Sequence, residues 1–197
     1  MQNFESALTK ENIQKILEDY AAKVEEIGHS VQGQKGHALL ASIKRDKVNV
    51  GPYPHVTLFE AANRIMTDLV ILHGVKWLLE NEIFPFDTYT VEYGNENKND
   101  FDLCASNDAE KHLIGEAFNV AQSFFQGKKS AMLKKLRKED GVADYKIVMF
   151  NHDAISPSYS PQIEEGFYYV IVNVSESSAR VLFKKSKHSD AESCAGA

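Results

Sequence analysis

Cysteine is almost absent from this chain: Cys104 lies in an apolar run and Cys194 in the C-terminal stretch, which is neither a disulfide framework nor a zinc-ligand spacing. No apolar run reaches membrane-spanning length. The longest candidate, VTLFEAANRIMTDLVILHGVKWLLEN at 56–81, is interrupted by Glu60, Arg64, Asp68 and Lys76. The opening MQNFESALTKEN lacks the charged-then-apolar pattern of a signal peptide, so the expectation is a cytoplasmic protein without membrane partners. The seven histidines are scattered, with no pair at zinc spacing. No nucleophile-elbow glycine pattern and no phosphate-binding glycine loop occurs, and no internal repeat is visible. With a net charge of −6, any nucleic-acid contact has to come from a local basic patch, because the average field repels phosphate.

What is present is ordinary globular material. The 197 residues are 43% hydrophobic and 25% charged, enough to bury a core without disulfides or a structural metal. The expectation is one globular domain over 1–185, followed by a polar, small-residue tail at 186–197 that is expected to be disordered.

Along the chain, Ile13, Ile16, Leu17, Tyr20, Val24 and Ile27 recur at helical spacing, with Gly28 as a stop, predicting an amphipathic helix over 11–28. Residues 29–55 read mostly as loop, ending in the turn signal Gly51-Pro52-Tyr53-Pro54. Residues 56–81 are apolar on more than one face, the pattern of a central helix. DTYTVEYG, FDLCAS and HLIGEAFN follow as successive antiparallel strands, then a helix at about 128–138 and a strand DYKIVMFN. After the loop HDAISPSYSP come two further strands, GFYYVIVNV and ARVLF. The order implies an α/β (α+β) protein with a central mixed sheet flanked by helices, since the hairpins make antiparallel pairs and a crossover helix returns the chain in parallel.

Two acids stand out in this frame. Strand alternation puts Asp102 on one face with Cys104 and Ser106, and Glu116 on one face with His112, Ile114 and Phe118. If 107–111 form the turn, the two carboxylates lie toward the same end of the hairpin and can converge on one cation. Two hard oxygen ligands with positions left for water and phosphate suit Mg2+. The alternative is that they are solvated or paired with Lys98 or Lys111.

The segment 119–138 then carries Lys128, Lys129, Lys134, Lys135, Arg137 and Lys138 with no acid among them. Helical spacing places Lys129 in the stripe of Met132, Leu133 and Leu136, and Lys134, Lys135 and Lys138 on the opposite side. An inward Lys129 needs a partner, for which Glu116 is the expected carboxylate; otherwise it snorkels from the helix end.

The order helix, strand, Asp-bearing strand, Glu-bearing strand, helix, strand, with NDFDL before IGEAF, resembles the PD-(D/E)XK nuclease superfamily, the restriction-endonuclease-like fold, over roughly 56–151. The resemblance implies that Asp102, or else Asp100, and Glu116 hold a catalytic Mg2+. It also makes Glu60, on the preceding helix, a further metal ligand or water-holding group, against the alternative of a salt bridge to Arg64. One departure is serious: two positions after Glu116, where that family has lysine, this chain has Phe118. Either Lys129 or its neighbour Lys128 supplies the amine from the next helix, or the site is inactive. The expected function is a Mg2+-dependent DNA endonuclease using Asp102, Glu116 and Lys129. Lys128, Lys134, Lys135 and Lys138 would meet backbone phosphates, and a homodimer would cut both strands. The alternative is a catalytically inactive scaffold that binds nucleic acid or another protein.

Overall fold

The computed structural model describes residues 4–94, 99–139, 141 and 143–184; the expected tail at 186–197 lies outside them. Among the described residues seven strands form one mixed sheet in chain order: β1 (Ala7–Thr9), β2 (Thr88–Val91), β3 (Leu103–Ser106), β4 (His112–Phe118), β5 (Tyr145–Asn151), β6 (Phe167–Asn173) and β7 (Ser178–Phe183). The pairs from β1 to β4 are antiparallel, β4–β5 and β5–β6 are parallel, and β6–β7 is antiparallel. The switch falls where a helix intervenes, because a parallel neighbour requires a crossover.

The helices divide between the faces. On one face lie α1 (Ile13–Ser30) and α3 (Leu58–Glu80), which bury Leu103, Leu113, Ala117, Ile147 and Met149 of the strands. On the other lies α4 (Gln122–Arg137), over Ile114, Phe118, Val148 and Phe150. The stripe read from residues 11–28 is the buried face of α1, with Tyr20 fully enclosed. Helix α3 is buried on most sides, from Ala61 and Ile65 to Leu78 and Leu79, which is why its apolar residues show no single face. Thr57 caps it, its hydroxyl accepting from the Glu60 N–H at 3.2 Å. Among the described residues no helix is long and apolar enough to cross a membrane.

Glycine decides one close approach. A Cβ on Gly115, in the middle of β4, would lie 2.5 Å from Leu103 Cδ2 and 3.2 Å from Ile147 Cβ, so only glycine leaves room for both neighbouring strands' side chains.

Two elements and one boundary differ from the expectation. Residues 29–55, expected as loop, contain α2 (Gly36–Arg45), a helix with no buried residue, whose apolar positions are too shallowly covered to stand out among their polar neighbours. The short β1 adds to the edge of the sheet beside β2, a pairing that depends on a segment some eighty residues away and not on local pattern. Helix α4 begins at Gln122 instead of 128, because Phe125 is drawn into the core against Phe118 and Phe150.

Candidate active site

Strands β3 and β4 pair from Ser106–His112 to Leu103–Gly115, so one further step sets Asp102 opposite Glu116. Both point to the α4 side of the sheet, and directly opposed residues bring their Cβ atoms to roughly 5 Å. Asp102 is tied in place: its Oδ2 accepts from the Ala117 N–H at 2.8 Å, and its carbonyl accepts from the Glu92 N–H at 2.8 Å. Asp100, by contrast, is exposed and lines an open groove of about 580 Å3 together with Thr88, Thr90, Phe101 and Cys104.

The Glu116 side chain is only 4% exposed, and Lys135 Nζ lies 2.6 Å from its Oε1. The contact is a short, charge-assisted one, which favours the ionised carboxylate. Burial pushes the Glu116 carboxyl up to about 7; the Lys135 contact works against this, and the charge of Asp102 adds to it. The Asp102 carboxyl is also raised, chiefly by burial, with the Ala117 N–H and Lys135 opposing. Lys128 acts at longer range, its charge favouring the ionised form of both acids.

Lys129 does not join them. Its Nζ makes a long 3.4 Å hydrogen bond to Tyr159 Oη and sits 5.5, 5.6 and 5.9 Å from the ring centres of Phe125, Tyr159 and Tyr169. Desolvation lowers its pKa. The expected inward turn of Lys129 is therefore present, but toward Phe125 of its own helix, Tyr159 of the loop after β5 and Tyr169 of β6 instead of Glu116. Lys128 and Lys135, seven residues apart, share the adjacent stripe of α4 that overlooks β3 and β4. This corrects the assignment of Lys135 to the outer face; Lys134 and Lys138 are exposed, as expected of it. Phe118 lies in the core, 2% exposed, stacked on Phe150 at 5.7 Å and against Phe125 at 6.1 Å.

Glu60 pairs with Arg64 at 2.6 Å on the exposed first turns of α3, as the salt-bridge alternative had it. The acid that α3 sends inward is Asp68, fully buried, which accepts from Tyr20 Oη at 2.6 Å, from Tyr53 Oη, and from the Gly94 N–H at 2.9 Å. Burial raises its pKa to about 6 against those three donors, and the Asp102 charge adds to the rise. The hydroxyls of Tyr20 and Tyr53 are pushed up by burial and by Asp68. The signal for Asp68 was in the sequence, as an acid embedded in the apolar run 65–72.

The carboxylate pair suits a hard cation: Asp102, immediately before β3, and Glu116, on β4, offer oxygen ligands side by side. Among the described residues no group of three or more His, Cys, Asp or Glu side chains is arranged to hold a metal, so an ion here would rest on two protein carboxylates and complete its shell with water or phosphate. Comparison with protein-family models finds no match, and neither does comparison with curated proteins, so the functional reading rests on this geometry.

Proposed function

We propose that the chain is a Mg2+-dependent phosphodiester hydrolase acting on DNA, of restriction-endonuclease type. The observation that carries the reading is the opposed pair Asp102 and Glu116, with the buried Oε1 of Glu116 held 2.6 Å from the Lys135 amine. The chain order α3–β2–β3–β4–α4–β5, with an acid on β4 and another immediately before β3, is what the resemblance to PD-(D/E)XK nucleases calls for. In this reading Asp102 and Glu116 hold the ion. When bound, Mg2+ activates water and offsets charge on the phosphoryl group. Lys135, in place of Lys129, hydrogen-bonds a phosphate oxygen or orients the attacking water, and Lys128 adds positive field. The exposed Lys134 and Lys138 meet backbone phosphates, and a dimer matches a two-fold site. Glu60, held by Arg64, has no part in it.

A second reading keeps the scaffold without the chemistry: a module that binds nucleic acid or a protein. Phe118 favours it, because a stacked core ring occupies the position at which the resemblance calls for lysine.

Plasmid cleavage with Mg2+ or with EDTA separates the two. The wild type is expected to cut only with Mg2+, and Asp102→Asn and Glu116→Gln to lose about a hundredfold or more of the rate. Equal rates in wild type and Glu116→Gln overturn the hydrolase, while salt-sensitive DNA binding without cutting supports the second reading.

A further inference from the structure

Resting on that reading of the carboxylate pair, we propose that the Lys135 ammonium is its resident counter-ion and is displaced by a divalent cation, so that loading the site and releasing Lys135 are one exclusive equilibrium.

The ammonium nitrogen lies 2.6 Å from Glu116 Oε1, the buried oxygen that a cation would need. A Mg2+ or Ca2+ ion sits at about 2.0–2.6 Å from its oxygen ligands, so the ion and the ammonium would stand within roughly 5 Å of each other on one carboxylate. That is well inside the screening distance of about 8 Å in physiological salt, and the two positive charges repel.

The ammonium is also able to leave. Lys135 is on the last turn of α4, and its side chain is 44% exposed while that of Glu116 is 4% exposed. Its amine already stands 5.3 Å from the face of Phe101, which offers a second resting place by cation–π attraction. The carbonyl end of α4 also favours a free cation nearby. Lys129 cannot play this part, being held on the neighbouring stripe among the rings of Phe125, Tyr159 and Tyr169. Once released, Lys135 is free to bind an anion beside the ion, so the same exchange couples cation loading to phosphate binding.

The test needs no cleavage. Mn2+ is titrated into the full chain by calorimetry, without nucleic acid, for wild type, Lys135→Met, Lys135→Arg and Glu116→Gln, each first shown to be folded by circular dichroism. Lys135→Met is expected to bind Mn2+ up to about tenfold more tightly than the wild type, the scale of one lost charge contact at a partly exposed site. Lys135→Arg, which keeps the competing charge, should stay near wild type, and Glu116→Gln should lose binding. In parallel, acylation of Lys135 by an amine-reactive ester, read by mass spectrometry, should rise with Mn2+ in the wild type and be high without Mn2+ in Glu116→Gln. Wild-type Mn2+ binding that is unchanged or weakened in Lys135→Met overturns the exchange and leaves the metal centre standing. No Mn2+ binding in either wild type or Lys135→Met overturns both.

Discussion

Glu116 shows at the scale of one residue what burial does to an acid. Its folded pKa of about 7 exceeds the ordinary 4.5, so between those values the folded chain holds a proton that the unfolded chain has released. Stability from this group is present below pH 4.5 and is lost as pH rises through 7. Glu116→Gln removes the dependence. Its urea midpoint relative to wild type should therefore climb between pH 4.5 and 7 and level off above, and a flat difference across that range would show the carboxyl to be solvated. Asp68, raised from 3.8 to about 6, acts in the same direction over its own window.

Among the elements, α3 is joined to its surroundings through Asp68. A single carboxylate receives the hydroxyl of Tyr20 from α1, that of Tyr53 from the segment before α3, and the N–H of Gly94 just after β2. That last bond ties α3 to the residues that follow β2. Asp68→Ala strands two buried hydroxyls and one N–H and opens a small void. It should cost about 2–4 kcal/mol in urea unfolding, whereas Glu60→Ala, which removes only an exposed ion pair, should cost about 0–1 kcal/mol. A second element-scale constraint sits in β4: Gly115→Ala would press its Cβ on Leu103 and Ile147 and should cost about 1–3 kcal/mol by overpacking.

For the whole molecule, the sheet has a thick middle and thin margins. Strands β5 and β6 are covered on both faces, with Ile147, Val148, Met149, Phe150, Val170 and Val172 fully enclosed. Helix α2 buries no residue. Native-state hydrogen exchange should therefore protect β5 and β6 amides close to the global unfolding limit and release α2 amides well ahead of them. Comparable protection in the two would mean that α2 is covered in solution by something outside the described contacts.

What the sequence determined by itself were the features that depend on backbone period alone. Alternation put Asp102 and Glu116 on one face, and a polar turn at 107–111 brought them to the same end of their hairpin, because successive strand side chains must point to opposite sides. The apolar stripes of α1 and the enclosure of α3 followed likewise from helical spacing. Tertiary structure decided what lies beside each stripe. Phe118, Phe125 and Phe150 pack together and fix how α4 lies across the strands, which turns Lys129 toward Tyr159 and lets Lys135, one stripe over, reach Glu116. Spacing can say which residues share a helix face, but only the packing of side chains from distant elements says which neighbour that face meets. For the same reason the fold left Glu60 of α3 at the surface and buried Asp68 of the same helix.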